Sequence, residues 1–145
     1  MQTDRNSLAR SLTWLVATAS IASLAQATAG ADLRGQWVGN SQVDGAHSVS
    51  RTTLTLGAPD AEDSSLRIEG NTSCLLSHGK YAAGSGDAWS LTFKEGRGGD
   101  ACERMARGTY TVHPGSKPRS LEFEATYPNS DGGQNQRRGA LSRYP

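Results

Sequence analysis

Polar and apolar residues alternate along most of the chain after residue 31. The longest regular stretch is 120–127, where Leu121, Phe123, Ala125 and Tyr127 fall on one face and polar residues on the other. Such period-two alternation is typical of a β-strand with one buried face. Bounded by turn residues, the pattern predicts about eight short strands, at residues 33–41, 48–56, 65–69, 73–81, 89–94, 108–112, 120–127 and 136–143.

These strands predict a single all-β domain. Residues 101–107 could form a short helical turn, but no longer helix is predicted after the N-terminal segment. Consecutive antiparallel strands usually pair, so we expect a meander. Eight short strands must close into a barrel or fold over as a sandwich to bury one face. We favour the barrel, with the sandwich as the alternative.

The N-terminal segment has the three parts of a secretory signal peptide. Arg5 and Arg10 form a positive region, and an uncharged, largely apolar stretch follows at 12–25. A small-x-small cleavage site follows at 27–29, with a second possible site at 25–27. We therefore predict export by a cleavable leader.

The leader defines two segments, a signal peptide at 1–29 and a β domain at 30–145. Its apolar stretch is shorter than the roughly 20 residues of a membrane-spanning helix. No cysteine precedes Cys74, so the leader offers no site for a lipid-anchored N-terminal cysteine. We expect a soluble periplasmic or extracellular protein without a stable membrane anchor.

The chain has two cysteines, Cys74 and Cys102. An even pair in an exported domain predicts one structural disulfide. Closing a loop of this length should stabilise the fold by roughly 3–4 kcal/mol. The alternatives, a reactive thiol or a metal ligand, lack local support, because there is no C-x-x-C and no histidine within three positions of either cysteine.

The charge balance argues against a nucleic-acid partner. The chain has 15 basic and 14 acidic side chains, and removing the leader takes away two basic and one acidic, which leaves 13 of each. Proteins that bind nucleic acid need an excess of positive charge to replace the counterions around the phosphates. A neutral domain lacks that excess.

Residues that could catalyse a reaction are present but form no recognisable motif. His47, His78 and His113 all lie in or beside predicted turns, and no G-x-S-x-G nucleophile motif occurs. Glu122 and Glu124 share one strand face, but the flanking alternation places that face in solvent. The sequence contains neither H-x-H nor H-x-x-x-H, the spacings that would suggest a zinc site. We therefore predict no catalytic residue, no metal and no cofactor.

The first and last predicted strands, at the two ends of the chain, carry residues that resemble those of a known family. The first strand has Gly35-x-Trp37, and the last has the basic residues Arg137, Arg138 and Arg143. This arrangement resembles the calycins, the lipocalin and avidin type of barrel. The resemblance implies that the tryptophan plugs one end of the barrel and that a basic side chain of the last strand packs across it.

The segment 77–81, Ser-His-Gly-Lys-Tyr, offers candidate binding residues. If this short segment is exposed, Ser77, Lys80 and Tyr81 could reach a partner, the lysine meeting a carboxylate and the tyrosine packing beside it. The segment resembles the Ser-Gly-x-x-Tyr loop of the periplasmic lysozyme inhibitors, although its glycine lies one residue later. The alternative is an ordinary turn with a solvated lysine.

We expect a non-catalytic binding protein of the cell envelope: an inhibitor, an immunity-like protein or a small-ligand carrier. Its partner would be a protein or a small molecule of that compartment. The alternatives are a small secreted hydrolase that uses one of the histidines and a structural or assembly factor of the envelope.

Overall fold

A computed structural model describes residues 32–71 and 73–145. The predicted leader, 1–29, lies outside the described residues. The described part includes no helix with the length and hydrophobicity that a bilayer span requires.

The described chain forms nine strands and one short helix. In chain order these are β1 (Gly35–Val43), β2 (Val49–Leu56), β3 (Ser64–Glu69), β4 (Cys74–Ala83), β5 (Trp89–Thr92), β6 (Glu95–Arg97), α1 (Asp100–Ala106), β7 (Thr109–Pro114), β8 (Ser120–Pro128) and β9 (Gln134–Arg143). All eight predicted strands are present. The three-residue β6 was not predicted, because glycine and arginine leave no alternation there.

The strands close into an eight-stranded antiparallel barrel. Neighbours pair in the order β1-β2-β3-β4-β5-β7-β8-β9, and β9 pairs back with β1. The short β6 lies outside this ring because it shares the edge of β4 with β5: β5 pairs with the second half of β4 and β6 with the first half. The predicted barrel is therefore confirmed, and the sandwich alternative is wrong.

The barrel is filled by its own side chains, and every strand of the ring contributes. The largest fully buried ones are Tyr81, Tyr110, Phe123, Leu54, Leu66, Leu76, Leu91, Leu121, Leu141 and Val112. Gly139 makes room for one of them, because a Cβ there would lie 2.3 Å from the Phe123 ring. The inward faces match the predicted alternation in β8, where Leu121, Phe123, Ala125 and Tyr127 are all buried.

Helix α1 lies against β4, β6 and β8 at one end of the barrel. The predicted disulfide is confirmed: Cys102 in α1 is bonded to Cys74 at the start of β4, with their Cα atoms 5.4 Å apart. The Tyr110 hydroxyl, from β7, donates a hydrogen bond of 3.0 Å to the carbonyl of Met105. The helix is therefore attached to the barrel at both its beginning and its end. We call this end of the barrel the α1 end.

Candidate ligand-binding site

The opposite end, which we call the Trp37 end, is closed by a stack of side chains. Trp37 is 4% exposed, and its Nε1 donates to the carbonyl of Leu33 at 2.9 Å. The guanidinium of Arg143 lies 4.9 Å from the centre of the Trp37 ring. Its Nη2 donates to the carbonyls of Asp32 at 2.7 Å and Arg34 at 2.6 Å. A tryptophan crossed by a basic side chain of the last strand is the arrangement that the calycin resemblance implies.

The α1 end instead contains a cavity of about 230 Å³. Ile68, Met105 and the Cys74–Cys102 disulfide give it an apolar wall, and Tyr127 lies beside them. This volume is below the roughly 300–1,000 Å³ of pockets that take drug-sized ligands. The cavity therefore suits a small molecule with an apolar part.

Polar groups complete the lining of this cavity. Hydroxyl and amide side chains enter it from the ends of β2 and β3 and from the start of β9: Ser48, Ser50, Asn71 and Asn135. Two basic residues, Arg104 in α1 and Arg137 in β9, also line it, and no acidic residue does so among the described residues. The cavity is therefore positively charged.

Arg137 faces the inside of the barrel because it lies on the same face of β9 as the buried Leu141. Its Nη1 donates to the hydroxyl of Ser41 at 2.9 Å. Ser41 and Thr52 are buried, and their hydroxyl oxygens lie 2.6 Å apart. Thr52 in turn donates to the carbonyl of Ser50 at 3.3 Å. The hydroxyls thus form a chain that begins at the guanidinium and ends at the backbone.

That chain of hydroxyls leaves the charge of Arg137 uncompensated. Its Nε is buried without a hydrogen-bond partner in the described part of the chain. None of the carboxylates in residues 32–71 and 73–145 forms an ion pair with Arg137 or Arg104. A guanidinium presents five N–H donors in a plane that matches a carboxylate. Arg137 is therefore equipped to hold an anion.

A wider depression of about 380 Å³ lies on the outer surface of β1, β8 and β9. Its basic residue Arg138 already has partners, since it lies 3.5 Å from Asp44 and 3.8 Å from Glu124. Because these carboxylates compensate Arg138, the depression is less suited to an anion than the α1-end cavity is.

The segment 77–81 lies within β4, in agreement with the strand predicted at 73–81, but the exposure expected of Tyr81 is wrong. Tyr81 is only 1% exposed, and its hydroxyl donates to the carbonyl of Gly57 at 2.7 Å. Burial raises the pKa of this hydroxyl. Lys80 is exposed and Ser77 half-buried, both on the outer face of the barrel. The structure therefore does not present Tyr81 and Lys80 together to a partner.

An extra residue in β4 explains the irregular sequence of that segment. The pairing register with β3 shifts between Ser64 and Leu66, and His78 has a positive φ of 52°. Gly79 is needed there, since a Cβ would lie 2.7 Å from both the Phe93 ring and the carbonyl of Ser64. The signs that suggested a loop belong to a β-bulge.

The histidines lie in solvent-accessible places. His47 and His78 are exposed, and His113 is half-buried on β7. The His78 Nε2 lies 3.6 Å from a carboxylate oxygen of Glu95, whose pKa is held low by the neighbouring Arg97. No group of three or more potential metal ligands occurs among residues 32–71 and 73–145.

Sequence analysis missed Arg137 as a site residue, treating it only as one of three basic residues in the last strand. The sequence did contain a sign of this role. Every second residue of β9 falls on one face of the strand, and that face holds Arg137, Gly139, Leu141 and Arg143. Once Leu141 is placed inside, the pleat places both arginines inside as well and leaves Arg138 outside.

Comparison with known proteins does not place the chain in a family. No protein-family model matches the chain, and no characterised protein is significantly similar to it in sequence.

Proposed function

We propose that this protein is an exported, non-catalytic binding protein of the cell envelope that holds a small molecule in the α1-end cavity. One observation carries the proposal: the cavity at this end is lined by Arg137, an inward-facing guanidinium without a carboxylate partner among the described residues. Concave sites with an apolar lining and a few converging polar groups are typical of ligand-binding sites.

The architecture supports a carrier with one entrance. The interior is packed with side chains, and the Trp37 end is closed by the Trp37–Arg143 stack. A ligand would therefore occupy only the space beneath α1, where the disulfide holds one wall in place. A site whose walls are fixed before binding loses less conformational entropy when the ligand enters.

Export is supported by two features. The predicted leader has the composition of a signal peptide, and Cys74 and Cys102 are paired. Disulfides persist in oxidising compartments and are rare in the cytosol. The protein would thus meet its ligand in the periplasm or outside the cell.

The proposal is tested by asking which small molecules the protein retains. The purified protein would be dialysed against a small-molecule extract of the cell envelope, washed, and its bound compounds identified by mass spectrometry. Two variants would be treated in parallel. Ala101→Trp places a large side chain at the α1-end cavity, whereas Ala140→Trp places the same side chain in the outer depression.

We expect at least one compound to be retained by the wild type and by Ala140→Trp but lost from Ala101→Trp. Circular dichroism spectra of all three proteins would show that both variants keep the β fold. Retention of no compound by the wild type, or equal retention by Ala101→Trp, would refute a ligand site in the α1-end cavity.

A further inference from the structure

Strand β9 carries two arginines on the inner face of the barrel, and the structure gives Arg143 more acceptors than Arg137. Burying a charged side chain is costly unless hydrogen bonds or an opposite charge replace its water. Arg143 has two carbonyl acceptors and the face of an aromatic ring. Arg137 has one neutral hydroxyl acceptor. The Nε of each arginine is buried without a partner in the described chain. Arg137 therefore has a single hydroxyl acceptor where Arg143 has two carbonyls and the face of a ring.

A further acceptor for Arg137 would be best supplied by an anion. Two acidic residues adjoin the strand partners of Arg137, Asp44 beside Val43 and Glu124 beside Ala125, and both are ion-paired with Arg138 on the outer surface. Arg104 brings a second positive charge to the same cavity. A neutral ligand would leave both charges uncompensated.

The other residues that line the cavity indicate which class of anion it would bind. Ile68, Met105 and the disulfide form an apolar wall, which a bare inorganic anion would leave without a contact. Ser48, Ser50 and Asn135 add hydroxyl and amide donors on the polar side. The volume of about 230 Å³ limits the ligand to a small molecule.

We infer that the α1-end cavity binds a small organic acid, with its carboxylate on the guanidinium of Arg137 and its apolar part against Ile68 and Met105. Carboxylates match the planar donors of arginine, and such charge-assisted hydrogen bonds are about twice as strong as neutral ones. This inference rests on the proposed function and specifies the ligand class for the same cavity.

The first test compares matched probes on the unaltered protein. Hexanoate, hexanamide and inorganic phosphate would each be titrated against it by isothermal calorimetry. Hexanamide keeps the shape of hexanoate without its charge, and phosphate keeps a charge without the apolar part. We expect hexanoate to bind at least about tenfold more tightly than either, since a hydrogen bond to a charged group is worth that factor or more.

The second test assigns the effect to Arg137. Arg137→Gln should weaken hexanoate binding by about tenfold or more, while Arg138→Gln, its neighbour on the outer face, should leave binding unchanged. In the wild type, the Nε–H resonance of Arg137, assigned by its absence from Arg137→Gln, should shift when hexanoate is added. That resonance reports contact directly and does not depend on the stability of a variant.

The outcomes separate this inference from the proposed function. Equal binding of hexanamide or phosphate, or no binding of hexanoate by the wild type, would overturn the assignment to organic acids. A neutral compound retained from the extract in a cavity-dependent manner would overturn it too, while leaving the proposed function intact. If no compound is retained in that manner, the proposed function itself fails.

Discussion

The two ends of the barrel use the same side chain in opposite ways. At the Trp37 end, Arg143 donates to two backbone carbonyls and covers the tryptophan ring, so the guanidinium is part of the closure. At the α1 end, Arg137 donates to the hydroxyl of Ser41 and lines a cavity. An arginine on the inner face of a strand is therefore structural or available to a ligand depending on what its neighbours offer.

The difference has an energetic consequence. The Nε of each arginine is buried without a hydrogen-bond partner in the described chain, but Arg143 replaces more of its lost water than Arg137 does, through two carbonyls and an aromatic face. Local arrangements that cost stability concentrate at functional sites, where they are compensated elsewhere in the fold. The packed core and the Trp37 end supply that compensation here.

The largest effect on the free energy of unfolding is expected from a substitution at the Trp37 end. Trp37→Ala should reduce the free energy of unfolding by about 3–5 kcal/mol, because a buried aromatic ring is replaced by a cavity and Arg143 loses the surface it covers. Urea unfolding followed by circular dichroism would measure the loss. Trp89→Ala is the matched control, since Trp89 is only partly buried and packs edge-on against Tyr81. Equal losses in the two variants would show that the Trp37 end has no special part in stability.

Replacing either of the two arginines should change the free energy of unfolding by less, but the two changes should differ from each other. Arg143→Met should lower the free energy of unfolding by about 1–3 kcal/mol, because hydrogen bonds from a charged donor to two carbonyls are lost. Arg137→Met should change it by less than about 1 kcal/mol or raise it, because the methionine needs no acceptor. Both losses would be measured by urea unfolding without added ligand. A loss at Arg137 as large as that at Arg143 would contradict the difference between the ends.

The same two ends show how far sequence can predict this protein. The alternation in β8 predicted which side chains fill the barrel, because period two alone decides which face of a strand is buried. The disulfide was predicted because paired cysteines in an exported domain strongly prefer oxidation. The position of the buried Trp37 was implied only by the resemblance to the calycins.

The cavity could not be predicted in this way. Its wall joins Ile68 of β3, Met105 of α1 and Tyr127 of β8, and only barrel closure brings these elements together. The error at Tyr81 has a local cause: Gly79 and His78 form a bulge within β4, and a bulge and a loop use the same residues. Sequence pattern describes faces of strands well, but it does not show which side chains from distant strands share one space.

The smallest effect on the free energy of unfolding is expected when the hydrogen bond from Tyr110 to α1 is removed, and this effect depends on pH. Burial raises the pKa of the Tyr110 hydroxyl well above its usual value, and the neighbouring Tyr127 adds to this rise. In the unfolded chain a tyrosine loses its proton near pH 10. The folded state keeps that proton to higher pH, so this contribution to stability is fully present below about pH 10 and is lost as pH rises further.

Tyr110→Phe should therefore cost about 1 kcal/mol at neutral pH, where the hydrogen bond to the carbonyl of Met105 is lost. Above about pH 10 the difference between the variant and the wild type should shrink, because only the wild type loses the stability that Tyr110 contributes. Urea unfolding from pH 7 to 11 would measure both curves. Tyr144→Phe, at a side chain that is 60% exposed, is the control and should follow the wild type throughout. Parallel curves for Tyr110→Phe and the wild type would show that this hydroxyl ionises as easily in the fold as in the unfolded chain. Equal free energies of unfolding at neutral pH would show that α1 is held at the barrel by its disulfide and packing alone.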